Sequence, residues 1–583
     1  MEIPADHLEE TPQQTMKKGG LTTIPFIVAN EIFERVASSG LHANMIIYLT
    51  KIYHMSSATG LSVLYIWGAV TNFLPIFGAF LSDSYLGRFK VIAIGSVVSL
   101  IGMVLLLLTA TLPTYKKPPY CRDDGSSCLA SNASIAPWQF PLLFSAFAFM
   151  SVGAGGIRPC SLAFGADQLN QKNNPHNERR LQSFFNWYYT SLGISIVIAV
   201  TVVVYIQEKD GWPIGFGVSA ALMLLSVILF LLGSPLYIKL EADKSMLSGL
   251  LQVIVASLRN RRLALPPPTT DGQWYHSKSK LKVPSEKLRF LNKACIIRNP
   301  EKDLNSDGSA SNPWSLSTVE QVEDLKSVIR VIPLWSTGIM TAVVINQQSL
   351  PVLQAGTMDR HLGSHFQIPA ASFSVFAIIT ITVWVAIYDR VVVPRLAKIT
   401  GRPRGLGLKQ RMGIGLMLLC VATAVAASVE RVRRRTAIEQ GLAGNGKGVV
   451  NMSAMWLVPQ YCLTGLAEAF NIIGQIEFYY SEFPKSMASI GISMFSFGMG
   501  VGNLVGTLIV QLIEKVSKGS GRVGWLDNNL NKGHYDYYYW FTAFLCVVNC
   551  FYFLLCSRAY GEEGENRVWE EREVKEELQS GSP

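Results

Sequence analysis

Long apolar runs recur from within the first 25 residues to about position 557. A bilayer-spanning helix needs about 20 predominantly apolar residues. Inside lipid, its backbone groups must be satisfied within the segment itself. Twelve runs meet that demand. They predict helices over approximately 21–50, 60–84, 91–113, 137–164, 183–206, 212–238, 321–349, 369–388, 405–429, 452–480, 486–513 and 536–557. Composition agrees, with 49% hydrophobic and 16% charged residues among 583, against about 25% charged in soluble domains. A nucleic-acid binder, a secreted disulfide scaffold and a disordered chain are thereby excluded. The fold class expected is an all-α, polytopic integral membrane protein.

The charges divide this chain. The net charge is +10, and residues 239–318 hold 13 Lys/Arg against 7 Asp/Glu. Segment 389–411 adds Arg390, Arg395, Lys398, Arg402, Arg404, Lys409 and Arg411 against Asp389. Basic loops stay in the cytosol, and an even helix count puts both termini there too. The expected organisation is a cytosolic tail 1–20, a six-helix bundle 21–238, a cytosolic linker 239–320, a second six-helix bundle 321–557 and an acidic cytosolic tail 558–583. Pro266-Pro267-Pro268 marks the linker. Glu430 to Arg435, on the outer side by this topology, reads as a helix running past the membrane into water. Gly78 to Arg88 follows the second helix of the first half, and Tyr388-Asp389-Arg390 with Gly401-Arg402-Pro403-Arg404 follows the second helix of the other. Asp83 with Arg88 and Asp389 with Arg390 are thus candidate charge clamps. Their placement in both halves is the pattern of the major facilitator superfamily, in which substrate binds near the midplane between the halves.

Ionisable residues inside predicted spans point to function. Glu31, Glu34 and Arg35 stand at i, i+3 and i+4 and share one helix face. Two acids and one base leave a carboxylate that the triplet does not neutralise, so proton coupling is expected there; a structural ion pair is the alternative. Arg158 lies in the apolar, glycine-rich stretch Gly153 to Pro159, where small residues permit close helix packing. A carboxylate paired with it stays ionised, and one left unpaired and dry takes a proton. An anion that captures Arg158 therefore frees a glutamate to be protonated. Further candidates for the substrate cavity are Asn72, Trp335, Asn346, Gln347 and Glu468, while Lys326 and Arg330 either face it or snorkel to the cytosol. Trp187, Tyr188 and Tyr189 read as packing or interfacial anchors.

The motif Glu31-x-x-Glu34-Arg35 resembles the first-helix signature of proton-coupled oligopeptide transporters, and the plant nitrate/peptide branch fits best. The marks are Gly156-Ile157-Arg158-Pro159-Cys160, Phe164-Gly165-Ala166-Asp167-Gln168, Ser183 to Tyr188, Asn312-Pro313-Trp314, Met358-Asp359-Arg360, Leu408 to Gly413 and Trp525 to Asn531. They cover nearly the whole chain. The resemblance implies a proton-driven symporter working by alternating access, with Glu31, Glu34 and Arg35 as the coupling triplet. Peptide carriers follow the triplet with Tyr-Tyr-Gly-x-Arg; this chain has Ser38-Ser39-Gly40-Leu41-His42. Asn72 replaces a tyrosine, Gly193 an asparagine and Arg158 a lysine. Arginine does not deprotonate in proteins, so Arg158 acts as a fixed cation and the proton rides on a glutamate. A fixed cation suits a small anion, with nitrate the first choice and a carboxylate-bearing plant hormone, a glucosinolate or a di- or tripeptide the alternatives. No histidine lies between Val322 and Leu350 to offer an imidazole site on the seventh helix.

Other signals carry less. Cys121 and Cys128 lie in the polar loop 114–136 beside the sequon at Asn132, so that loop, if it faces outward, can carry a disulfide and a glycan. Asp303 to Gly308 imitates a calcium loop, but position twelve is Trp314, not glutamate. His361 and His365 lack further ligands, and Gly498 to Gly502 follows no strand, so neither a metal nor a dinucleotide site is expected. No catalytic cluster is visible, and the chain is not read as an enzyme. Protons are the only coupling agent expected, with no cofactor. Partners are the anionic solute, protons and the lipid bilayer, without nucleic acid; the oligomeric state is open. The plasma membrane is the expected location, and a receptor that has lost transport is the remaining alternative.

Overall fold

The structure, a computed structural model, describes residues 19–112, 136–169, 177–240, 246–265, 274–276, 284–306, 308–401, 405–446, 448–483, 487–519 and 523–561. The expectations for Cys121, Cys128 and Asn132 lie outside them.

The long helices are numbered in chain order. The first bundle contains α1 (Ile24–Lys51), α2 (Ser57–Leu81), α3 (Arg88–Thr111), α4 (Gln139–Leu169), α5 (Asn177–Ile198) and α6 (Trp212–Leu232). In the linker lies α7 (Met246–Arg259). The second bundle contains α8 (Val319–Asn346), α9 (Val375–Ile387), α10 (Leu408–Glu439), α11 (Val458–Glu482), α12 (Ala488–Ser517) and α13 (Tyr535–Tyr560). Ten helices are apolar and long enough to cross a membrane, among the described residues. The other two of the twelve, α1 and α11, are 28 and 25 residues long but carry buried polar groups instead. They pack within the bundles, α1 against α6 and α11 against α10. Several π turns interrupt the helices. Ser82–Leu86 extends α2 and Tyr388–Val392 extends α9, at matching places in the two halves.

The internal repeat continues in the packing. α3 lies along α4 as α10 lies along α11, and the halves meet mainly where α2 faces α12. In the first bundle the close approach is made by glycine. A Cβ on Gly78 would run into the Gly155 carbonyl, and one on Gly156 would stand 2.9 Å from the Val91 carbonyl. Large side chains are absent from this seam because backbone meets backbone there.

Both ends of the described residues, Gly19 and Gly561, lie on the linker side. Gly20 N donates to Gln168 O at 2.8 Å, and Lys409 Nζ donates to Gly561 O at 2.6 Å. On the opposite side, hydrogen bonds join the halves. Ser57 N donates to Asn528 Oδ1 (2.8 Å), Ser372 Oγ to Val200 O (2.6 Å), and Arg360 Nη1 to Glu208 Oε1 (2.6 Å). The protein is therefore tied shut at the far end.

Two features differ from the sequence expectation. α10 does continue past the predicted end at 429, but Glu430 and Arg433 are fully buried rather than in water. Arg433 donates twice to the Glu430 carboxylate, at 2.7 and 2.8 Å, and also to Thr357 and Asn531. Arg434 donates to Gly533 O. These charges hold the loop before α13 against α10, which is why they stand at the end of a span. The linker, in turn, has its own small core: Val253 and Ala256 of α7 pack with Trp274, Leu291, Cys295 and Val322. Burial pushes the Cys295 thiol up to about 12, as a dry core should.

Candidate functional site

α1 is placed by a buried asparagine. Asn30 Nδ2 donates to Ser226 Oγ at 2.8 Å and to Ser96 Oγ at 3.2 Å, tying α1 to α6 and α3. That fixes the rotation of the next turn, which carries the triplet. Arg35 Nη2 bonds Glu31 Oε1 at 2.9 Å. Glu34 Oε1 meets Arg158 Nη2 of α4 at 3.5 Å, and the same nitrogen reaches Ser38 Oγ at 3.3 Å. Glu31 and Glu34 are buried, yet Glu31 Oε2, Glu34 Oε2, Arg35 Nε and Arg158 Nε have no hydrogen-bond partner among the described residues. Buried charges are expensive unless paired and hydrogen-bonded. This four-residue cluster is only half satisfied.

The cluster borders a cavity of about 560 Å³ between the two bundles. Glu34, Arg35, Asn72 and Arg158 line it from the first bundle, and Asn346 and Glu468 from the second. Glu468 is the one acid that the second bundle contributes to the lining among the described residues; its Oε1 and the Nδ2 of Asn346 find no partner there. Glu31 sits behind Arg35, outside the lining. Two sequence candidates lie elsewhere. Gln347 Nε2 is taken up by Tyr538 Oη at 3.0 Å inside the second bundle. Trp335 Nε1 donates to Met494 O at 2.8 Å, and its ring stacks on Phe497. One helical step past Asn346, about 100° of rotation, is enough to turn Gln347 inward. Lys326 does not face the cavity either; its Nζ bonds Ser285 O and Glu323 Oε1 toward the linker.

Sequence reasoning missed the aromatic wall. His42, Trp67 and Phe147 form a file, with centroids 5.0 Å apart for His42 and Trp67 and 4.4 Å for the stacked Trp67 and Phe147. His42 and Trp67 line the cavity. The signal was available: Glu34, Ser38 and His42 recur every four residues, so they share a face of α1.

The clamps also differ from expectation. Arg88 makes its short ion pair with Asp167 of α4 at 2.6 Å, with Asp83 at 3.5 Å. In the second half, Asp389 and Arg390 are exposed and pair with no described residue. Their place is taken by Arg411 and Glu477 at 2.6 Å, with the Arg411 guanidinium 4.9 Å from the centre of the Tyr388 ring. The short ion pair in each half thus joins the start of one helix to the end of the next, α3 to α4 and α10 to α11. Spacing within one turn could not reveal a partner 79 or 66 residues away.

Comparison with known proteins agrees with this architecture. The sequence profile PTR2, described as POT family, matches residues 89–526. Protein NRT1/ PTR FAMILY 1.1 of Arabidopsis thaliana is 53% identical over 571 residues, covering 96% of each chain. Protein NRT1/ PTR FAMILY 1.2 of the same plant is 52% identical, covering 96% of this chain and 93% of that one. Among solved structures, an auto-inhibited POT family peptide transporter superposes with a TM-score of 0.68 at 18% identity, over 93% of this chain and 97% of its own. The POT family transporter PepTSo does so with 0.65 at 17%, over 92% and 98%. Those two likenesses establish the major facilitator fold, and the family contains transporters rather than enzymes. Together the matched profile, the two plant relatives and the cavity between paired six-helix bundles make this chain a multi-pass membrane transporter of the POT family, in its NRT1/PTR branch.

Proposed function

We propose that the protein is a proton-coupled symporter of a small monovalent anion, with nitrate the first choice, working by alternating access at the plasma membrane. The observation that carries this reading is the half-satisfied cluster of Glu31, Glu34, Arg35 and Arg158 at the cavity wall. With Glu468 included, three carboxylates face two guanidinium groups, which leaves one excess negative charge when all are ionised. An entering anion would raise that excess to two in a low-dielectric site, so binding favours protonation of the carboxylates. The anion takes the free edges of Arg158 and Arg35, and Glu34, released from Arg158, accepts the proton. Protons also solve the problem of voltage. One negative charge moving inward against 100 mV costs about 2.3 kcal/mol, which more than one co-transported proton offsets.

A second reading has its own support. A cavity of about 560 Å³ is far larger than an inorganic anion needs, and His42 and Trp67 present aromatic rings to it. A carboxylate-bearing organic solute would place its charge at Arg158 and its own ring against these. Uptake by the purified full chain in liposomes separates the two. Nitrate, an aromatic carboxylate and a dipeptide are compared with acid and with neutral solution outside, while an internal dye reads proton entry. Solute uptake without internal acidification would reject the coupling, and acidification with the dipeptide alone would reject the anion.

A further inference from the structure

α7 presents two apolar faces and only one of them is used. Val253 and Ala256 are fully buried against the linker core. Leu251, Ile254, Val255 and Leu258 are 52%, 39%, 41% and 64% exposed. These four stand at i, i+3, i+4 and i+7, so they form one continuous stripe along the helix. The basic residues Arg259, Arg261 and Arg262 follow at its end; all three are exposed and none forms an ion pair with a described residue. The end of the helix is fastened: Asn260 Nδ2 donates to Lys293 O and Ser315 O, at 2.9 and 3.2 Å. Leu250 packs both on the linker core and on the cluster at the linker end of α8. The stripe is therefore held beside the linker end of α8.

We infer that α7 is a membrane-surface anchor, its stripe Leu251, Ile254, Val255 and Leu258 seated at the headgroup boundary of the linker-side leaflet and its arginines on anionic phospholipid. The length fits. Fourteen residues make about 21 Å of helix, too short for a hydrocarbon core of about 30 Å, so the helix lies on the bilayer rather than across it. With one apolar face used by the linker core, the free apolar stripe ended by arginines fits an interfacial helix that selects acidic lipid. Charge complementarity decides the occupant: a second copy of this basic segment would bring like charges together, whereas an acidic leaflet neutralises them. The anchor couples the linker to the leaflet beneath the second bundle, independently of which solute is carried.

The test uses the full chain in nanodiscs of phosphatidylcholine mixed with phosphatidylserine. Photoreactive benzoylphenylalanine replaces Ile254 or Leu258, and the same replacement of Glu301 on the exposed helix Pro300–Asp303 serves as control. After irradiation, intact mass identifies what has been captured. Phospholipid adducts at 254 and 258 and none at 301 are expected, with phosphatidylserine several-fold over its share of the disc. The triple change Arg259→Gln, Arg261→Gln, Arg262→Gln should return that share to the bulk proportion. Capture of a second copy, capture of the chain's own termini, or no adduct at both positions would overturn the anchor. A phosphatidylserine excess that survives the triple change would overturn the role of the arginines.

Discussion

Glu430 and Arg433 bond through both carboxylate oxygens at 2.7 and 2.8 Å, and their remaining valences go to Gln354, Thr357, Asn531 and the Leu530 carbonyl. Glu34 and Arg158 touch through one pair of atoms at 3.5 Å and leave Oε2 and Nε unused among the described residues. Both pairs are acid with arginine, and both carboxylates are buried. The difference is how completely each is solvated by protein. A saturated pair has one arrangement and resists change. A pair with spare donors and acceptors can exchange its partner for a proton or an anion at little cost. Saturation marks the scaffold in the second bundle, and incompleteness marks the proposed coupling site in the first.

Breaking the saturated pair should have the largest effect. Arg433→Ala leaves Glu430 charged and without its counter-charge in the interior, where such a loss costs about 3–5 kcal/mol. Monodisperse protein should then vanish from size-exclusion profiles after detergent extraction; a normal profile would undo the assignment as scaffold. Glu34→Gln, in contrast, should extract normally. It should abolish uphill accumulation while retaining solute exchange down a gradient, measured by counterflow. Accumulation equal to wild type would remove Glu34 from the coupling. Arg158→Gln should weaken anion binding about 10- to 100-fold, since hydrogen bonds to charged groups contribute about 1.5–3 kcal/mol. Isothermal titration of the purified protein reads this directly.

Two smaller effects sharpen the contrast. His42→Ala should leave nitrate uptake near wild type and lower uptake of an aromatic carboxylate up to about tenfold, because aromatic contacts contribute about 0.5–1.5 kcal/mol. Equal losses for both solutes would discard the aromatic wall as a selector. Arg360→Gln removes a far-side tie whose Glu208 partner is about one-third exposed. Such pairs contribute about 0.2–1 kcal/mol, so the far-open population should rise no more than about fivefold. Distances between spin labels across that end report it.

Much of this was legible in the sequence, for definable reasons. Apolar runs are long signals, and every predicted span corresponds to an observed helix. Glu31, Glu34 and Arg35 were legible because their relation is local, fixed by 3.6 residues per turn. Arg158 stood out as a lone cation in an apolar run. What could not be read was pairing across helices. Arg88 with Asp167, and Arg411 with Glu477, depend on which helix ends become neighbours. The inward turn of Gln347 depends on where α8 ends. Glu430 and Arg433 misled because charge at a span's end ordinarily means water, and only the fold shows that a loop covers them. The stripe on α7 was overlooked because fourteen residues are too few to register as a span.

The glycine seam of the first bundle has a practical consequence. With Gly78 against the Gly155 carbonyl and Gly156 against that of Val91, α2, α3 and α4 have almost no slack between them. They turn as one block or not at all. A fluorophore fixed anywhere on that trio reports the same rotation, so one well-chosen distance to the opposite bundle is enough to follow the whole stroke.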